Sequence, residues 1–110
     1  DYEKMQEAAK YLVGEHDFKS FCSARTQVTD TVRTIYSLDV SKEDDIIKIR
    51  ISGNGFLYNM VRIIVGTLIK VGLKVYPPEY VKEILEACDR NVAGPKAPAK
   101  GLTLIGIVYN

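Results

Sequence analysis

The sequence predicts an α+β domain, with an antiparallel or mixed sheet and helices packed mainly on one face. Three observations predict it. Apolar residues recur at helical spacing in 2–13, 56–73 and 81–88. They alternate with polar residues in 31–40 and 46–52. The 110 residues, 46% of them hydrophobic, suit one domain, residues 1–110, with an ordinary core.

The elements follow in order. Met5, Ala8, Ala9, Leu12 and Val13 mark an amphipathic helix over 2–13, and Gly14 is a natural stop after it. Residues 16–22 break that period, and Phe18 and Phe21 suit a short turn pinned to the core. His16 reads as a loop or capping side chain, since no acid–base partner can be assigned to it. Residues 23–30 are polar and read as a loop. Residues 31–40 are rich in β-branched side chains and put Val32, Thr34, Tyr36 and Leu38 on one strand face, with Arg33, Ile35, Ser37 and Asp39 on the other. A charged connector, 41–45, leads to a second strand, 46–52, in which Ile47, Ile49 and Ile51 alternate with Lys48 and Arg50. These strands should pair antiparallel.

The turn Ser52-Gly53-Asn54-Gly55 then delivers the chain to a central helix from 56 to about 73. Its flexible backbone next to a helix N-terminus could receive a phosphate, which makes Asn54 and Gly55 candidates for RNA contact. Pro77-Pro78 starts another helix carrying Val81, Ile84, Leu85 and Cys88. Residues 91–101 form a shaped loop with two cations, Lys96 and Lys100, which are either phosphate contacts or a solvated connector. Residues 102–109 are apolar on both faces and read as a central strand.

Arg62 is the unusual residue of the central helix. Asn59, Arg62, Gly66 and Lys70 share a narrow stripe on an otherwise apolar cylinder, and Tyr58, Arg62 and Gly66 are spaced i, i+4, i+8. Burying a guanidinium without an anion opposite it costs several kcal/mol, so Arg62 either reaches solvent or meets an anion in a cleft. A surface arginine, or one paired with a local acid such as Asp89, is the plainer alternative.

Composition narrows the classes. Fifteen basic against 14 acidic residues leave a formal charge of +1, so polyanion binding must be local rather than driven by an overall field. Cys22 and Cys88 stand 66 positions apart with no CxxC and only one His, which argues against a zinc site and against a disulfide framework. Two thiols in a reducing cytoplasm are the simpler account. The longest uncharged apolar run, 63–69, is far short of a membrane span, and no basic-then-apolar leader precedes it. The chain is expected to be soluble and cytoplasmic. It begins at Asp1 without an initiator Met, as an excised part of something longer would.

Three stretches together resemble the C-terminal half of the bacterial tRNA pseudouridine synthase A family. They are Gly55-Phe56-Leu57-Tyr58-Asn59-Met60-Val61-Arg62 with Gly66 and Val71-Gly72; Asp89-Arg90 with Ala93-Gly94-Pro95 and Ala97-Pro98-Ala99; and Gly101-Leu102-Thr103-Leu104 with Val108-Tyr109. His16-Asp17-Phe18 with Phe21, and Thr31-Val32-Arg33-Thr34-Ile35, are also similar to that family. The resemblance implies an enzyme that isomerises uridine to pseudouridine in the anticodon arm of tRNA, using no cofactor and no metal, commonly as a homodimer. It implies that Arg62 pairs with the catalytic aspartate, that Leu102 helps wall the base pocket, and that Tyr58 belongs to the same site. The family's nucleophile lies in an Arg-Thr-Asp-Ala-Gly motif of the N-terminal half. No such motif occurs here, Arg25-Thr26-Gln27 being the nearest string. The expectation is an enzyme half that supplies supporting residues but no nucleophile and is inactive alone. Its rivals are a non-catalytic α+β module that grips RNA or a protein, and a dimerisation domain.

Overall fold

The computed structural model describes residues 2–22, 31–44, 46–55 and 59–95. In chain order these form α1 (Tyr2–Lys10), β1 (Gly14–Asp17), a 3-10 turn (Lys19–Phe21), β2 (Val32–Glu43), β3 (Ile46–Gly53), α2 (Met60–Gly72), α3 (Tyr80–Ala87) and a second 3-10 turn (Arg90–Val92). The sheet is antiparallel in the order β1-β2-β3, and α1 packs against both β2 and α2. The α+β class is the one the sequence predicts. The expected strand over 102–109 lies outside the described residues.

Helix α1 ends at Lys10 rather than at Val13. Tyr11 N donates to Ala8 O and Leu12 N to Ala9 O, so the last turn tightens to i→i+3 bonds while Leu12 remains fully buried. Gly14, at φ +105°, then turns the chain into β1. That strand was not expected. Glu15 and Asp17 are poor strand formers, and the four residues hold their conformation because Gly14 to Asp17 pair with Ile35 to Val32. The pinned turn after it is as expected. Phe18 and Phe21 are both fully buried, their rings 6.1 Å apart in an edge arrangement. Each contributes about 1.5–3 kcal/mol by leaving water.

The β2–β3 hairpin corrects two expectations. Its ladder runs on to Glu43↔Ile46, so 41–43 belong to the strand rather than to the connector. Asp44, in the left-handed region at φ 55°, carries the reversal, and Lys48 Nζ reaches Glu43 Oε2 at 2.8 Å beside it. Ile35 opposes Gly53 whereas Ser37 opposes Ser52, so Tyr36 is an extra residue on β2. This bulge reverses the strand's two faces partway along. Ile35, Leu38 and Val40 therefore share the core side with Ile51, while Val32 and Tyr36 remain 41% and 47% exposed. A strict alternation had grouped Leu38 with Val32 and Tyr36.

Helix α2 is mostly buried, as its composition requires. Met60, Val61, Ile63, Ile64, Val65, Leu68 and Val71 join Met5, Ala8, Leu12, Phe18, Phe21 and the inward sheet residues in one core with Val81, Ile84 and Leu85 of α3.

Candidate functional site

The sequence places the start of the central helix at residue 56, but α2 begins at Met60. Asn59 stands before it in the left-handed region, at φ 60°, and a residue in that conformation cannot continue a helix backwards. The first intrahelical bond runs from Ile63 N to Asn59 O at 3.0 Å. Consequently Arg62 occupies the first turn of α2, half-buried between the buried Val61 and Ile63. That turn carries no acidic residue. A cation near the positive end of a helix is destabilising by about 0.3–1 kcal/mol, and the same field favours an anion brought up to it. Arg62 and the helix terminus thus act in one direction on any carboxylate or phosphate that approaches. Asp89, weighed as a local partner for Arg62, caps the second 3-10 turn, its Oδ1 accepting from Asn91 N at 3.0 Å.

The Gly53–Gly55 turn is fastened to β2 from both sides. Asn54 N donates to Thr34 O at 3.0 Å, and Asn54 Oδ1 accepts from Thr34 N at 2.9 Å. The side-chain oxygen of Asn54 therefore serves to hold the turn. Gly55 takes φ +155°, which side chains other than glycine rarely adopt, and the stem of Arg33 lies across it. The structure thus brings Asn54 and Gly55 together with Arg33, a residue that strand periodicity alone did not single out. Tyr58, Leu102, Lys96 and Lys100 lie outside the described residues.

A second arrangement fixes residues 89–94. Thr67, fully buried in α2, donates its hydroxyl to Ile63 O at 2.9 Å and accepts from Gly94 N at 3.0 Å. Arg90 Nη1 donates to Gly94 O at 3.0 Å, and Tyr80 hydroxyl to Val92 O at 3.1 Å. Ser20, also fully buried, donates to Ile84 O at 2.7 Å and accepts from Asp89 N at 2.8 Å. Residues 89–94 are in this way tied to α2, to α3 and to the turn after β1. A hydroxyl at Thr67, in the apolar run 63–69, was the signal in the sequence that some partner had to meet it there.

The acids in the described part of the chain are occupied structurally or exposed. Asp17 Oδ1 accepts from Lys19 N at 3.1 Å and from the Thr31 hydroxyl. Burial raises the pKa of both Cys22 and Cys88, and the negative charge of Asp17 raises each further. Both cysteines are free thiols. His16 donates from Nε2 to Val13 O at 3.0 Å and sets its ring edge-on to Phe18, in keeping with a capping role. Among the described residues no group of three or more His, Cys, Asp or Glu is placed to hold a metal, and no helix is long and apolar enough to cross a membrane.

The described residues make an α+β chain with a half-buried arginine in the first turn of its central helix. Comparison with known proteins gives the family. A family model described as tRNA pseudouridine synthase matches residues 8–110, and the chain belongs to that family. It is 61% identical over 109 residues to a tRNA pseudouridine synthase A of Brevibacillus brevis, covering 99% of this chain and 45% of that protein. The corresponding protein of Bacillus subtilis is 55% identical over 106 residues, covering 96% and 43%, and that of Thermoanaerobacter pseudethanolicus 51% over 107 residues, covering 97% and 44%. The chain thus spans a little under half the length of the curated relatives it matches.

Proposed function

We propose that this chain is the C-terminal half of a tRNA pseudouridine synthase that isomerises uridine to pseudouridine in the anticodon arm of tRNA. The observation that carries the proposal is Arg62, set half-buried in the first turn of α2, within a chain that matches the family from residue 8 to its end. The nucleophile is an aspartate contributed by residues outside this chain. A carboxylate that attacks must stay ionised in a cleft with little water, and a guanidinium at hydrogen-bonding distance lowers its pKa and fixes its direction. The planar fork of Arg62 meets both carboxylate oxygens and never deprotonates, while the α2 terminus adds its own favourable field. The target uridine leaves its stack to reach the pocket, where Tyr58 and Leu102 hold it. Lys96 and Lys100 meet phosphates and give binding that is sensitive to salt and tolerant of sequence. The reaction draws on no cofactor or metal, and the complete enzyme works in the cytoplasm as a homodimer.

The test is to assay pseudouridine in tRNA after incubation with the 110-residue chain alone, and with the complete enzyme. The expected result is none from the chain and turnover from the complete enzyme. Turnover by the chain above a contaminant control would place the nucleophile within these residues. An inactive complete enzyme that still binds tRNA would favour the non-catalytic module.

A further inference from the structure

We propose that the outward face of α2, marked by Ile69 and Leu73, is the surface on which the half of the enzyme outside this chain packs. The inference rests on the reading of the chain as one half of a tRNA pseudouridine synthase. It starts from an imbalance in α2. Along Met60–Gly72 every residue is buried except Arg62, Ile69, Lys70 and Gly72. Leu73 caps the helix, its N donating to Ile69 O at 2.9 Å, and so stands one turn beyond Ile69. At about 3.6 residues per turn, Arg62, Gly66, Ile69 and Leu73 fall within roughly 60° of one another around the helix axis.

A helix face left to water is ordinarily polar. This one presents Ile69 at 41% and Leu73 at 67% exposure, and α2 contains no Asp or Glu. Val75, 56% exposed, adds to the patch: its N returns to Lys70 O at 2.9 Å, which folds it back against the last turn of α2. Large apolar side chains gathered at one helix end differ from the single exposures that any surface carries, and mark a contact. The occupant follows from what shares the stripe. Arg62 lies toward its N-terminal end, where the proposed site takes a carboxylate from outside the chain. At about 1.5 Å rise per residue, Leu73 is roughly 16 Å further along. The part of the enzyme that brings the carboxylate is the larger part, since the chain covers 45% of the Brevibacillus brevis relative and 43% of the Bacillus subtilis one. A folded body of roughly 130 residues has a radius of gyration of about 14 Å, so one that reaches Arg62 is wide enough to cover the stripe as far as Leu73. Removing Ile69, Leu73 and Val75 from water would then stabilise the union of the two halves.

The test uses the complete enzyme. With a photoreactive benzoylphenylalanine in place of Leu73, irradiation should join this position to a peptide of the same polypeptide that lies outside these 110 residues. Mixing heavy- and light-isotope subunits separates that product from a cross-link to a second copy. A cross-link to a second copy, a cross-link within these residues, or none at all would overturn the proposal. In parallel, Leu73→Ala should lower the melting temperature by roughly 5–10 °C at every protein concentration, with the oligomeric state unchanged. Leu73 is two-thirds exposed within the chain, so its contacts here account for only a small part of such a fall. A fall of less than about 2 °C would leave the side chain in water, and one that shrinks as protein concentration rises would assign the face to a second copy; either result overturns the proposal. If the bulky replacement prevents folding, the alanine variant decides alone. Neither measurement reads turnover, so an inactive wild-type enzyme would remove the parent reading, whereas an active wild type with an unaltered Leu73→Ala midpoint removes only the docking face.

Discussion

Gly94→Ala should be among the most damaging small substitutions in the chain, although the residue is not required for its backbone angle. A Cβ at this position would sit 2.7 Å from Thr67 Cα, 3.0 Å from Thr67 N and 3.0 Å from Thr67 Oγ1. The first distance is shorter than real Cβ contacts, and two of the three neighbours are backbone of a buried helix that cannot give way cheaply. Relief requires residues 93–95 to lift from α2, which breaks the bond from Gly94 N to Thr67 Oγ1 and loosens Arg90 from Gly94 O. Overpacking of this kind costs about 1–3 kcal/mol, and a buried donor left without an acceptor about 1–3 more. Allowing for partial relaxation, the expected loss is about 2–4 kcal/mol, read as a lowered midpoint with little change of slope in urea denaturation of the chain. Adding Thr67→Ala should not rescue it, because the Cα and N of residue 67 remain in place. A loss below about 0.5 kcal/mol, or rescue by Thr67→Ala, would show that the segment is not clamped to α2 as described.

Three further outcomes are expected. Lys74 ends α2 in the left-handed region at φ 65°, with Val75 N returning to Lys70 O, so Lys74→Gly should stabilise the chain by about 1 kcal/mol in the same denaturation experiment. Cys22 and Cys88 hold their protons more tightly when folded than unfolded; their stabilising contribution is complete below the usual thiol range and is lost as pH rises through the raised folded values, so stability should fall on the alkaline side and alkylation near pH 8 should be slower than in urea. Changing Lys96 and Lys100 together to Ala in the complete enzyme should flatten the salt dependence of tRNA binding by up to about two units, and an unchanged slope would leave both lysines in solvent.

Much of this fold could be read from the sequence because its strongest signals are periodic. The helical spacing of Met5, Ala8, Ala9 and Leu12 and the apolar wrap of α2 follow from burial alone, and both helices form within the stretches the pattern marks, with shorter bounds. The errors arise where a single residue changes phase. Tyr36 inserts one position into β2 and moves Leu38 to the core face, which no alternation count reveals without the partner strand. Asn59 in a left-handed conformation stands directly before Met60, where α2 begins, and no periodicity count foresees that backbone reversal. Strand β1 depends on pairing rather than on its own propensities. Arg62 was conspicuous as a charge among apolar neighbours, whereas Arg33 on a strand with polar alternation was not. Its placement depends on Gly55, twenty-two positions away, a proximity that only the hairpin creates.

The central claim, that Arg62 serves a carboxylate lying outside this chain, is tested most directly by the turnover of Arg62→Lys in the complete enzyme. Lysine keeps the charge and most of the stem but replaces a two-pronged planar contact with a point donor. The account predicts pseudouridine formation reduced by at least about a hundredfold, the scale of a mispositioned nucleophile, with the melting temperature nearly unchanged. Turnover close to wild type with intact stability would contradict it.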